Sequence, residues 1–245
     1  LSRARRGSEG TSAAVSAAGQ RRQTQRRRYR RDDIEGNPMG FFQNTRLPQG
    51  AGGKIMVKIM NVGHARVADW GFSEGRAHIF APRDARVLDV GCGGGRNLSR
   101  WLDICPDGTV CGIDYSQTSV DESRRRNARS IARGRCEVLK GDVARLPFSD
   151  DSFDAVSAFE TIYFWPDLLA CFGEVRRVLR ARGTFMICNE SDGSDPADER
   201  WCGIIGGMRI YNERQIVDAL RRAGFTGIET HRNPRRRWLC ITAKS

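Results

Sequence analysis

The chain has 245 residues, 39% of them hydrophobic, enough to bury one sizeable core and short for two domains of ordinary size. Its formal net charge of +12 would draw polyanions at long range, but ten arginines against four acids in residues 1–38 concentrate half of that charge in one segment. No apolar run approaches the roughly 18 residues that span a bilayer, so no membrane partner is expected.

Taken in chain order, residues 1–38 alternate small residues with arginine runs and hold almost no large apolar side chains. They cannot offset their ordering entropy and read as a disordered basic tail, or as leader sequence upstream of a start at Met39. Residues 39–82 read as an N-terminal helical cap: Ile55, Met56, Ile59, Met60 and Val62 recur at helical spacing before Gly63, which predicts a helix and a turn packed on a larger body. Residues 83–245 then alternate short apolar runs with amphipathic segments. The runs from Ala85 to Val90, Thr109 to Ile113, Cys136 to Leu139, Phe153 to Ala158 and Thr184 to Cys188 read as strands of a parallel sheet with crossover helices. One helix is expected to start at Pro166 and bury Leu168, Phe172, Val175 and Leu179. Another runs from an Asn212 cap, with Gln215 three residues on, through Ile216 and Leu220 to Gly224. Two last runs, from Thr226 to Glu229 and from Trp238 to Thr242, suit an antiparallel hairpin.

The cysteines Cys92, Cys105, Cys111, Cys136, Cys171, Cys188, Cys202 and Cys240 include no C-x-x-C pair, and several sit in apolar runs such as FMIC and WLCI. Buried free thiols in a reducing, cytoplasmic setting are expected, with no metal.

Chemistry enters at VLDVGCGGGRN, residues 87–97, where an apolar strand meets four glycines within five residues and then a helical segment. Glycine lets the backbone turn sharply and approach a ligand, and a helix N-terminus offers free N–H groups. A dinucleotide turn would need glycine at a third position, where Arg96 stands and would obstruct helix–strand packing. Asp89, inside the strand, needs a partner for its buried carboxylate, supplied by a ligand ammonium or by a tightly held loop.

Here the sequence resembles the class I S-adenosylmethionine-dependent methyltransferases, from about Lys54 to Lys244. The resemblance implies an α/β, Rossmann-like doubly wound fold, with a mostly parallel seven-stranded sheet and an antiparallel C-terminal hairpin. It implies S-adenosyl-L-methionine as cofactor, with Asp89, Gly91, Cys92 and Gly93 around its methionine part. Asp114 in CGIDYS would take the ribose hydroxyls, with Tyr115 beside it, and Asp142 and Val143 in GDVARLPF would lie at the adenine. FSDDSFDAVSAFE resembles the family's fourth strand, which would end at Phe159 beside the cofactor. RVLRARGTF departs from the family's usual turn by carrying Ala181 and Arg182, which were expected to fit a turn ending in Gly183.

On the acceptor side, FETIYFWPD offers Glu160 as base or anchor and Tyr163, Phe164 and Trp165 as a pocket wall. His64 stands in the region that covers the site in such enzymes, and Trp201, Met208 and Tyr211 in a candidate lid. Methyl transfer from a sulfonium is a direct displacement, so alignment and exclusion of water are the main tasks. The expected partner is a small-molecule acceptor. A nucleic-acid (RNA) methyltransferase or binding protein using the basic tail is the alternative, weakened because the fourth strand ends in AFET rather than a base-flipping motif.

Overall fold

Apolar runs rich in Val, Ile and Leu suit strands covered on both faces. The computed structural model describes residues 44–74 and 81–245; the basic segment 1–38 and Met39 lie outside the described residues. Seven strands, β1 (Arg86–Val90), β2 (Thr109–Asp114), β3 (Cys136–Lys140), β4 (Phe153–Phe159), β5 (Leu179–Asn189), β6 (Thr226–Arg232) and β7 (Leu239–Lys244), form one sheet of order β3-β2-β1-β4-β5-β7-β6. The first five are parallel, and β7 runs antiparallel to both β5 and β6. Strand order reverses between β1 and β4, where doubly wound sheets open a crevice for ligands.

The helices are α1 (Gly50–Gly63), α2 (Ala65–Glu74), α3 (Arg96–Ile104), α4 (Gln117–Arg126), α5 (Ala128–Ala132), α6 (Leu168–Val178), α7 (Ala197–Ile204) and α8 (Glu213–Arg222). One apolar layer joins Phe172 and Val175 of α6 and Ile216 and Leu220 of α8 to Val156, Phe185 and Ile241 of the sheet. The other joins Val67 and Phe72 of α2, Leu98 and Trp101 of α3 and Val120 of α4 to Val87, Val110 and Met186. Each such side chain, fully buried, contributes about 1.5–3 kcal/mol. Phe72 couples α2 to the sheet, with its ring 5.1 Å from Trp101 and 4.8 Å from Phe159.

Local signals map closely onto these elements. Asn212 and Gln215 form a reciprocal capping box at the start of α8. The helix expected from Pro166 begins instead at Leu168, because the Asp167 carboxylate accepts the Ala170 N–H at 3.0 Å and takes the cap position. The apolar pattern of α1 also divides differently than expected. Met56 and Val57 are buried, while Ile55, Ile59 and Val62 face outward.

Ala181 and Arg182, expected in a turn, lie inside β5 where its register against β4 shifts, and Arg182 adopts φ +65°. An L residue in that region costs roughly 1–2 kcal/mol. Replacing Arg182 by Gly is expected to raise unfolding free energy by about 1 kcal/mol in urea titration. An unchanged or lower midpoint would show that the backbone at Arg182 carries no such cost.

Candidate active site

At the end of β1 the chain turns through Gly91, Gly93 and Gly95, with φ of +74°, +52° and +74°. The Gly91 and Cys92 N–H groups donate to Ile113 O at 2.8 and 3.1 Å, and the Gly93 N–H donates to Asp114 Oδ2 at 2.9 Å. The turn is therefore held by the last two residues of β2. A Cβ on Gly91 would lie 2.1 Å from Thr161 Oγ1, so this position admits no side chain. A Cβ on Gly93 would meet nothing within 4 Å; it would enter the cavity that Gly93 lines.

Asp114 is buried at the end of β2 and also accepts the Ser116 N–H at 2.9 Å. Burial pushes its carboxyl above the usual range, opposed by the N–H groups of Ser116 and Gly93. The Tyr115 hydroxyl donates to Arg46 O, and Ser116 Oγ donates to Pro48 O at 2.9 Å, tying residues 46–48 to the end of β2. Asp142 accepts the Ala144 N–H at 2.9 Å in the loop after β3, where Val143 is buried.

A cavity of about 890 Å³ opens at these strand ends. Gly91, Cys92, Gly93, Asp114, Tyr115, Asp142, Val143 and Phe159 line it, as do His64, Glu160, Tyr163 and Trp165. Its size lies toward the upper end of the roughly 300–1,000 Å³ of ligand pockets. Trp201, Met208 and Phe164 also line it.

Two candidates stand elsewhere. Asp89 does not line the cavity; its Oδ1 accepts the Ser157 hydroxyl at 2.6 Å, and Trp101 Nε1 donates to the same hydroxyl at 2.9 Å. Within the chain its partner is therefore the Ser157 hydroxyl of the neighbouring strand β4. Burial pushes its carboxyl up to about 7, with Ser157 opposing and Asp114 adding. Tyr211 packs against the apolar layer formed by α6 and α8 and is not a lining residue, because the loop presents Arg209 and Ile210 to the cavity instead.

Beyond β4, Glu160 adopts φ +58°, and its carboxylate accepts the Glu190 N–H. His64, at the junction of α1 and α2, places Nε2 3.8 Å from Glu190 Oε2. Donor atoms of His64, Glu160 and Glu190 all lie within 4.8 Å of one another. Burial, then the Glu190 charge, holds the Glu160 carboxyl well above its ordinary range. Burial lowers the His64 imidazole, with Glu190 opposing. The buried Tyr163 hydroxyl accepts the Ser191 N–H at 3.2 Å.

Sequence reasoning missed three contributors. Glu190 follows the end of β5, and the rule that ligands gather at carboxyl ends of parallel strands would have found it. Asn127 secures the glycine turn by donating from Nδ2 to Gly95 O at 3.0 Å. Arg46 lines the cavity from a position 69 residues before Tyr115, with no local signal.

A parallel sheet whose order reverses beside a glycine turn, with an acid closing the next strand, defines a doubly wound nucleotide-type ligand site. Residues 88–187 match the family described as methyltransferase domain. Over residues 88–187 the chain carries a methyltransferase domain, and its fold is that of the class I S-adenosylmethionine-dependent methyltransferases. It is 36% identical over 109 residues to the sterol 24-C-methyltransferase of Neurospora crassa, covering 44% of this chain and 28% of that protein. It is 36% identical over 103 residues to the demethylmenaquinone methyltransferase of Roseiflexus castenholzii, covering 42% of each. The chain thus spans less than half the length of these curated relatives. A Haloferax volcanii methyltransferase, solved in complex with the Trm112 activator, shares the fold with TM-score 0.68 at 21% identity, over 83% of this chain and 96% of that one.

The elevated Asp89 carboxyl sets a pH dependence. Its folded value of about 7 exceeds an ordinary aspartate's value near 3.9, so the folded chain keeps a proton that the unfolded chain releases in that window. Stability therefore falls as pH rises from about 4 to about 7, and Asp114 and Glu160 act in the same direction. Asp89→Asn should narrow the difference in thermal midpoint between pH 5 and pH 8. A difference as large as that of the parent chain would place this carboxyl in the ordinary range.

Proposed function

We propose that the chain transfers a methyl group from S-adenosylmethionine to an apolar small-molecule acceptor. The observation that carries this reading is one cavity joining the Asp114 glycine-turn cradle to the aromatic wall of Tyr163, Phe164 and Trp165 and to the His64, Glu160 and Glu190 cluster. The open space above Gly93 and the buried Asp114 carboxylate at the strand end fit the polar part of the cofactor. When bound, S-adenosylmethionine supplies an electrophilic methyl carbon for direct displacement.

Asp114 holds ribose hydroxyls, Asp142 and Val143 bound the adenine position, and Gly91, Cys92 and Gly93 let the backbone approach the methionine part. Phe159 and Trp165 exclude water from the space between donor and acceptor, where competing hydration would otherwise raise the barrier. His64 is disposed to remain neutral, which suits an imidazole to take a proton from an acceptor whose attacking atom carries one. Glu160 anchors the acceptor by hydrogen bonding as an acid. Val57, Met60, Ile205 and Ile210 add apolar lining, and relatives named for sterol and demethylmenaquinone methylation support an apolar acceptor. The nucleic-acid alternative loses support from the arginine runs: Arg124 donates to Val138 O, Arg125 pairs with Glu122, and Arg237 pairs with Asp195 and Asp198.

Calorimetry with S-adenosylhomocysteine should show that Asp114→Ala weakens binding roughly ten- to a hundredfold, the worth of hydrogen bonds to a charged group, while unfolding stays cooperative. Gly93→Ala should weaken binding as well, by filling the approach. Parent-like affinity in Asp114→Ala would sink the site assignment. With labelled S-adenosylmethionine and a cell extract, label should enter the lipid-soluble fraction; label confined to RNA would overturn the acceptor class.

A further inference from the structure

Among the described residues, the large hydrophobic side chains left exposed are Leu47, Ile55, Ile59, Val62, Tyr115 and Trp201. Three of them, Ile55, Ile59 and Val62, are 55%, 52% and 77% exposed and follow one another at intervals of four and three along α1. At 3.6 residues per turn they share a stripe about 60° wide. Scattered exposed apolar residues are ordinary, but a contiguous stripe marks a contact surface. The same helix lines the cavity through Val57 and Met60, and Tyr115 and Trp201 line it while staying partly exposed.

Charge identifies the partner. Lys54 and Lys58 are exposed on α1 beside the stripe, and α1 packs against α4, which ends in the exposed Arg126. Of the two acids on α4, Glu122 is already paired with Arg125 and lies in the field of Lys58 and Arg126, and Asp121 accepts from Gln117. A second copy of this chain on the stripe would bring these cations together. An anionic lipid surface would neutralise them, and lysine stems can lie along apolar surface while their ammonium groups reach headgroups.

We infer that the outward stripe of α1 docks the chain on the surface of an anionic lipid bilayer, placing the helix that walls the cavity against the membrane. The expectation of no membrane partner rested on the lack of a spanning run, and a helix lying in the interface needs none. This docking does not depend on the proposed methyl transfer.

The test is sedimentation of the full chain with vesicles of phosphatidylcholine alone or mixed with phosphatidylserine. The parent chain should bind the mixed vesicles, and Ile55→Ser/Ile59→Ser/Val62→Ser should lose about tenfold or more in partitioning, the scale of removing several buried apolar groups from an interface. Lys54→Gln/Lys58→Gln should keep the apolar contact but reduce the preference for phosphatidylserine. Binding through the basic segment 1–38 alone is screened by high salt, so the comparison is repeated there. Circular dichroism melting checks that variants fold, and Val62→Ser alone, at the most exposed position, should show a smaller loss in the same direction. Parent-like sedimentation of the triple variant, or no binding by the parent chain, overturns the proposal. So does a parent dimer in light scattering that the triple variant lacks, since the stripe would then be a contact between copies.

Discussion

The hydrogen bond from the Gly93 N–H to the Asp114 carboxylate ties the turn after β1 to the end of β2, and the ligand site is organised around it. Three left-handed glycines let the chain reverse there, and the N–H groups of Gly91 and Cys92 are satisfied by Ile113 O. On the far side, Asn127 holds Gly95 O and accepts from Ser99 of α3, so the helix starts in a fixed place. Asp114 is raised in pKa by the same burial that makes its hydrogen bonds strong. A carboxylate acceptor at a strand end is thus prepared before any ligand arrives, which reduces the reorganisation that binding requires.

The proposed acceptor side is built by longer-range means. Its walls come from the junction of α1 and α2, from the segment after β4 and from the loops flanking α7. Glu160 holds an unfavourable φ of +58° because its N–H donates to Cys188 O and its carboxylate accepts from Glu190. Such strain persists where surrounding structure over-determines the backbone, and here it aims a carboxyl into the cavity. The arginine-rich character of the sequence is partly absorbed at this edge, where Arg237 pairs with the buried Asp198 and Arg96 pairs with Asp69.

The strands, the Asn212 capping box and the acids closing β2 and following β3 were legible in the sequence because each depends on neighbouring residues. Strand runs, capping pairs and glycine turns carry their cause within a few positions. An acid just after an apolar strand is legible for the same reason, since the parallel sheet places it at the ligand edge. Periodicity, however, reports that a helix is apolar and not which side meets the body. The pattern of α1 therefore predicted packing for Ile55, Met56, Ile59, Met60 and Val62, whereas Met56 is buried beside the unexpected Val57 and Ile55, Ile59 and Val62 face outward. The partner of Asp89 is Ser157, 68 residues away, and the strap at Arg46 reaches Tyr115 across 69. The sequence by itself determined the order of elements and the sheet edge that carries the glycine turn and the strand-end acids. Only the tertiary structure decided the cavity beyond β4, Tyr211's exclusion from it and the Ser157 partner of Asp89, because those depend on contacts between segments that no local pattern encodes.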